Sequence, residues 1–133
     1  MQDDVTKNIE IVRRLYPGSG YEGSIDDLLS PNVVGLEAEA LPYAGRYEGK
    51  EGFKRLLNAL VENWDDLTCT EMEFVAQNDT VIVLFRLRAT ARKTGVKIDQ
   101  RVSELWKLKD GKIVFVQPFY FDTWAVRKVC GLS

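Results

Sequence analysis

Residues 96–121 read VKIDQRVSELWKLKDGKIVFVQPFYF, two apolar-rich segments on either side of the turn sequence KDG. Polar and apolar side chains alternate along the first segment, and aromatic and β-branched residues dominate the second. Alternation with a period of two is typical of a β-strand, and an Asp-Gly turn joins neighbouring antiparallel strands. The stretch therefore predicts a β-hairpin with strands at 96–108 and 112–121.

Two further strands are predicted before this hairpin. Residues 67–77 and 80–93 also alternate, and the short sequences QND and KTG separate the successive strands. Connections of this length are too short for a crossover between parallel strands. We therefore expect a four-stranded antiparallel meander.

The first half of the chain has helical periodicity instead. Apolar residues recur at spacings of three and four from Val5 to Tyr16 and again from Phe53 to Trp64, and a short strand is predicted at 33–40. The glycine-rich sequence LPYAGRYEG before the second helix is predicted to be a loop. The expected architecture is one α+β domain, residues 1–133, with helices packed on one face of a curved antiparallel sheet.

Composition excludes several classes of function. The chain has 18 basic and 20 acidic residues, which are scattered, so nucleic acid is not an expected partner, and no apolar run predicts a membrane span. It contains no histidine, and its two cysteines are far apart, so we expect neither a metal site nor a cofactor. The N-terminus lacks a secretion signal, which favours a cytoplasmic location. Acid or base chemistry must then come from groups such as carboxyls or tyrosines.

Glu104 is an acidic residue on an apolar strand face. If Thr94-Gly95 is a two-residue turn, Glu104 lies opposite Phe85 and shares its face with Val102 and Trp106. A carboxyl group in such surroundings is unfavourable unless it is protonated, paired or in a wet pocket. We therefore expect Glu104 in an apolar cavity between sheet and helices, with a structural, hydrogen-bonded acid as the alternative.

The KDG turn allows two registers for the last strand. A three-residue loop sets Glu104 opposite Val116 and continues its face through Pro118, Tyr120 and Asp122, and this is the expected version. A two-residue turn sets Gln117 opposite Glu104 instead.

The last strand is apolar on both faces, which is unusual for an antiparallel sheet. Helices can cover one face, so the other, with Phe115, Phe119 and Phe121, is expected to form a homodimer interface. The alternative is that residues 123–131 fold back over these rings.

Two segments resemble a known family. GRYEGKEGFKRLLNAL at 45–60 and TGVKIDQRVSELWKLKDGKIVFVQPFYFDT at 94–123 resemble the SnoaL-like and ketosteroid-isomerase-like branch of the nuclear transport factor 2-like superfamily. The resemblance implies a cone-shaped α+β barrel with an apolar pocket and frequent dimerisation. It also implies activities that range from isomerase, cyclase, dehydratase and epoxide hydrolase to noncatalytic binding.

The resemblance assigns roles to individual residues. Glu104 corresponds to the protonated acid of the isomerases and Glu37 to their base, while the helix tyrosine corresponds to Leu15, beside Tyr16. By alternation alone, however, Glu37 lies on the solvent face of its strand, opposite the apolar Val34 and Leu36. Asp122 either reaches the pocket or caps a C-terminal helix.

These observations lead to a functional expectation. A small hydrophobic carbonyl compound is isomerised, cyclised or dehydrated, with Glu104 as acid or hydrogen-bond donor and Asp122 or Glu37 as base. The alternatives are a noncatalytic binding module for a hydrophobic ligand or protein partner and an epoxide hydrolase-like enzyme. The expected ligand-binding residues share the pocket face: Tyr16, Phe85, Val102, Trp106, Val116, Pro118 and Tyr120.

Overall fold

A computed structural model describes residues 2–133 as an α+β domain with a six-stranded sheet. Its helices are α1 (Gln2–Arg13), α2 (Gly49–Asn63) and α3 (Thr123–Val129), with a short 3-10 helix at Ile25–Leu28. Its strands are β1 (Leu29–Glu37), β2 (Gly45–Glu48), β3 (Trp64–Gln77), β4 (Thr80–Ala91), β5 (Lys97–Lys109) and β6 (Lys112–Tyr120). Within residues 2–133, no helix is long and apolar enough to cross a membrane.

The sheet is mixed and open. Its order is β2-β1-β6-β5-β4-β3, and β1 pairs with β6 in parallel while the other neighbours are antiparallel. The expected α+β architecture with an antiparallel meander is confirmed, and the parallel pairing of β1 with β6 is an addition that was not predicted. The β1–β6 pair joins segments from the two ends of the chain, and local alternation carries no information about such a contact.

Strand β2 replaces part of the predicted loop LPYAGRYEG. Gly45–Glu48 pairs with the last residues of β1, and α2 begins directly afterwards at Gly49. Four residues with only one large apolar side chain, Tyr47, are too few for a recognisable alternation. The strand exists because β1 offers it a hydrogen-bonding edge.

The β4–β5 register differs from the prediction by two residues. Ala91 and Val96 close a four-residue loop, so Glu104 pairs with Val83, and Phe85 pairs with Val102. The predicted two-residue turn, and with it the pairing of Glu104 with Phe85, is wrong. Since side chains alternate with a period of two, this shift leaves every residue on its predicted face.

The β5–β6 connection combines a tight turn with a bulge. Asp110 and Gly111 have φ values of 52° and 76°, as a two-residue turn of type I′ requires, so the predicted three-residue loop is wrong. A bulge beside Leu108 then adds one residue, and Glu104 pairs with Pro118 rather than with Val116 or Gln117. Turn and bulge together keep Pro118 on the face of Glu104.

Helices α1 and α2 cover only one face of the sheet. Val12 and Phe53 from these helices are fully buried against inner-face side chains such as Val81 and Val83. On the outer face and just beyond β6, Phe119 and Phe121 remain 51% and 82% exposed. The C-terminal α3 therefore does not bury them, contrary to the alternative considered from the sequence.

Candidate functional site

A cavity of about 350 Å³ lies between the inner sheet face and helices α1 and α2. Pro17 and Val61 at its lining are solvent-exposed, so its mouth lies between the end of α1 and the C-terminal half of α2. Its lining includes the residues predicted to share the pocket face: Tyr16, Phe85, Val102, Trp106, Val116, Pro118 and Tyr120. The α2 side chains in the lining were not predicted: Phe53, Leu56, Leu57, Leu60 and Val61.

Glu104 lies on the cavity wall contributed by β5. Its side chain is enclosed by protein on most sides, and its remaining exposed surface faces the cavity. Burial raises the pKa of its carboxyl from 4.5 to about 7, although a hydrogen bond from the Tyr16 hydroxyl acts in the opposite direction. A carboxyl with such a pKa can both accept and return a proton near neutral pH.

Tyr16 connects Glu104 to Trp106. The indole Nε1 of Trp106 donates to the Tyr16 hydroxyl at 2.9 Å, and that hydroxyl donates to Oε1 of Glu104. The Tyr16 ring also packs edge-on against Phe85 at a centroid distance of 5.5 Å. These two hydrogen bonds therefore run in one direction and end on a carboxyl oxygen of Glu104 as acceptor.

Glu37 points into the protein and lines the cavity, so the solvent-facing interpretation is wrong. It is 5% exposed, and Val33 and Gly35 share its covered face, while Val34 and Leu36 lie on the other face. The reason is close packing of α2 on β1: a Cβ on Gly35 would lie 2.9 Å from a Leu56 methyl group. The covered face of β1 is therefore its least bulky one, which alternation of apolar residues does not reveal.

The electrostatic environment of Glu37 differs from that of Glu104. Its Oε1 is buried and has no hydrogen-bond partner among residues 2–133. Burial and then the charge of Glu104 raise the pKa of Glu37 from 4.5 to about 9. Because Tyr16 stabilises only the Glu104 carboxylate, Glu104 ionises first and Glu37 stays protonated at neutral pH.

The two carboxyls are neighbours across the sheet. Glu104 pairs with Pro118 on β6. On the other side of β6, Gly35 of β1 is aligned with Val116. Two residues further along this parallel pair, Glu37 lies beside Pro118. Two strand spacings separate their Cα atoms by about 10 Å. One small ligand can therefore contact both carboxyls.

A second hydrogen-bond chain lies on the Glu37 side of the cavity. Trp64 Nε1 donates to the Tyr43 hydroxyl at 3.1 Å, which in turn is 2.7 Å from the Tyr120 hydroxyl. Burial raises the pKa of both tyrosines, so both remain neutral. Tyr43 comes from the segment between β1 and β2, where no periodic pattern indicated that it would reach the core.

Asp122 lies outside the cavity lining. Its exposed side chain accepts a hydrogen bond from the Ala125 amide at 3.1 Å and caps α3, which agrees with the capping alternative. Strand β6 ends at Tyr120, so the alternation that would have carried Asp122 to the pocket face has already stopped. Asp122 is therefore not a candidate base.

Two other residues with potentially reactive groups, Asp99 and Cys69, are not suited to catalysis. Asp99 pairs with Arg86 at 2.7 Å on the exposed outer face. Cys69 lines the cavity, but burial followed by the charge of Glu104 raises the pKa of its thiol to about 12. A thiol that does not ionise is a poor nucleophile.

Residues 21–116, more than half of the chain, match the family model of the SnoaL-like domain. The chain belongs to the SnoaL-like domain family. No curated protein matches the sequence significantly. The resemblance to this family is thus confirmed, and the fold is that of the nuclear transport factor 2-like superfamily.

Solved structures share this SnoaL-like fold over nearly their whole length. A nuclear transport factor 2-like protein of Burkholderia xenovorans has 19% identity, a TM-score of 0.85 and coverage of 96% of this chain and 98% of its own. A protein of Jannaschia, provisionally named a SnoaL-like polyketide cyclase, has 20% identity, a TM-score of 0.79 and coverage of 96% and 94%. TerC, co-crystallised with polyporic acid, has 22% identity, a TM-score of 0.77 and coverage of 93% and 98%.

Proposed function

We propose that this SnoaL-like protein is an enzyme that enolises an apolar carbonyl compound, with Glu104 as base and Glu37 as a neutral hydrogen-bond donor. The observation that supports it is a pair of buried carboxyls with different hydrogen-bond environments in one apolar cavity. Carboxyls whose surroundings separate their pKa values are suited to opposite roles in acid–base catalysis. Isomerisation, cyclisation and dehydration can all begin with this step.

The proposed step is a proton transfer to Glu104. Its carboxylate removes a proton from the carbon next to the carbonyl group, and the electron pair of that C–H bond moves to the carbonyl oxygen. Protonated Glu37 stabilises the enolate by a hydrogen bond, and Glu104 then returns the proton to the same or another carbon. The family resemblance assigns these two roles in the opposite order, but Tyr16 donates to Glu104, and Glu37 Oε1 has no donor among the described residues.

Relatives of known structure support the proposed substrate class. One structural neighbour is provisionally named a polyketide cyclase, and another was crystallised with polyporic acid. The cavity fits a ligand of similar character, because apolar side chains dominate its lining and its volume lies in the range of small-molecule sites.

Hydrogen–deuterium exchange of β-tetralone tests the proposal. This bicyclic ketone is apolar and has acidic protons beside its carbonyl group. In D₂O the protein is expected to accelerate their loss from the NMR spectrum above the buffer rate. Saturable binding of β-tetralone without accelerated exchange would contradict the enzyme and favour the noncatalytic binding module.

We also propose that the protein forms a homodimer through the outer sheet face. The exposed rings of Phe119 and Phe121 support this, because contiguous aromatic patches are uncommon on soluble monomers. Sedimentation equilibrium at micromolar concentration is expected to give twice the 15.2 kDa mass of one chain. Phe119→Asp should give the monomer, whereas Val96→Asp, which adds the same charge at an exposed loop residue, should not. A monomeric unmodified protein would contradict the proposal.

A further inference from the structure

The hydrogen-bond chain of Trp64, Tyr43 and Tyr120 contains one proton more than it uses. An indole N–H can only donate, and each tyrosine hydroxyl brings one proton of its own. The three protons form two hydrogen bonds, from Trp64 to Tyr43 and between the two hydroxyls. One hydroxyl proton therefore has no acceptor among residues 2–133.

Burial decides which hydroxyl carries this free proton. Tyr43 is 3% exposed and lies outside the cavity lining, whereas Tyr120 belongs to the lining and is only half-buried. An unsatisfied buried donor costs about 1–3 kcal/mol, and a donor that faces a cavity can meet water or a ligand. Trp64 therefore donates to Tyr43 and Tyr43 donates to Tyr120, which leaves the hydroxyl proton of Tyr120 available to a group in the cavity.

The hydrogen-bond chain of Trp106, Tyr16 and Glu104 ends on an acceptor instead of a donor. Trp106 donates to Tyr16 and Tyr16 donates to Glu104, so both protons of that chain are used and an acceptor stands at its end. The two ends are close: Tyr120 pairs with Val102, and Glu104 pairs with Pro118, which makes Tyr120 and Glu104 diagonal neighbours on adjacent strands. Such neighbours are about 7–8 Å apart, within reach of one small molecule.

We infer that Tyr120 is a catalytic residue that, together with Glu37, binds the carbonyl oxygen of an apolar ketone whose acidic carbon lies at Glu104, with Tyr43 as its positioning residue. This inference rests on the proposed function and adds a donor that the family resemblance does not assign. During enolisation no bond of Tyr120 breaks: the proton goes from carbon to Glu104, and the Tyr120 hydroxyl hydrogen-bonds to the oxygen that gains charge. The raised pKa of Tyr120 keeps this hydroxyl protonated.

The test compares the binding of β-tetralone and tetralin. The two probes have nearly the same shape, but only β-tetralone has an oxygen, and that oxygen only accepts hydrogen bonds. Quenching of the cavity-lining Trp64 and Trp106 reports binding. We expect the unmodified protein to bind β-tetralone up to about tenfold more tightly than tetralin, as one hydrogen bond allows.

Single hydroxyl deletions locate the donor. Tyr120→Phe is expected to lower the preference for β-tetralone severalfold and leave the part that Glu37 contributes, while tetralin affinity stays unchanged, which also reports an intact cavity. Tyr43→Phe should remove part of it, and Tyr21→Phe, which deletes a hydroxyl bonded to Ser24 outside the cavity, should remove none. Exchange of β-tetralone should slow in Tyr120→Phe and Tyr43→Phe.

Other outcomes overturn the inference in distinguishable ways. A preference that is unchanged in Tyr120→Phe but lost in Glu37→Ala assigns the donor to Glu37 alone and overturns the role of Tyr120, while enolisation by Glu104 stands. Equal binding of both probes by the unmodified protein excludes any donor. Absence of binding by both probes overturns this inference together with the proposed function.

Discussion

Replacement of Glu104 by Gln or by Ala is expected to slow β-tetralone exchange by about 10²–10⁴-fold, the usual contribution of a general base. Neither side chain can take up the proton, although Gln keeps the size of Glu and can still accept from Tyr16. Exchange rates from NMR, measured at saturating β-tetralone, check this. The matched control is Glu62→Gln, which removes an exposed carboxyl on α2 and should leave the rate unchanged.

The comparison of the two variants separates the two possible roles of Glu104. If Glu104 were a neutral donor to the oxyanion, as the family resemblance implies, Gln would retain much more activity than Ala. If both variants exchange β-tetralone within tenfold of the unmodified protein, a barrier change of about 1.4 kcal/mol, Glu104 has no part in catalysis.

The pH dependence of exchange follows from the same two carboxyls. The rate should rise as Glu104 ionises around its pKa of about 7 and fall as Glu37 loses its proton around about 9. Because the groups interact, the two limbs report macroscopic pKa values of the pair. Glu37→Gln cannot ionise, so it should lose the alkaline limb and retain the acidic limb. A profile that is flat from pH 5 to pH 9 would contradict carboxyl acid–base chemistry.

The pocket face of the meander could be predicted because it depends on local information. Alternation fixes which side chains share a face, and the two register errors were even-numbered shifts that preserve it. In the β5–β6 hairpin the shift is even-numbered only because a bulge adds one residue and so compensates for the shorter turn. Glu104 was recognisable for this reason: an acid on an apolar strand face is visible within β5 itself.

The other half of the site depends on contacts between distant segments. Glu37 faces inward because α2 packs closely over Gly35, and β1 is held beside β6 by a parallel pairing that no local pattern indicates. Tyr43 reaches Tyr120 from a segment predicted to be a loop. Alternation along β1 even favoured the wrong face, since its bulkier apolar residues point away from the helices.

Glu37→Gln is also expected to change how stability depends on pH. Glu37 has a pKa of about 9 in the folded protein and 4.5 in the reference state, so between these values the folded state binds the additional proton. The free energy of unfolding then decreases as pH rises through this window, by up to ~1.4 kcal/mol per pH unit for one group. Glu104 contributes in the same direction, but only from 4.5 to about 7.

A narrow interval around pH 8 therefore reports mainly Glu37, because Glu104 is already largely ionised there and the thiols of Cys69 and Cys130, with a reference pKa of 9.0, have barely begun to ionise in the unfolded state. Urea unfolding at several pH values in this interval should give a decreasing free energy for the unmodified protein and for Glu104→Gln, and a nearly constant one for Glu37→Gln. Comparing slopes removes the constant cost of burying an amide at position 37. The same decrease in Glu37→Gln and in the unmodified protein would mean that Glu37 is already ionised in the folded state, which would exclude it as the neutral donor.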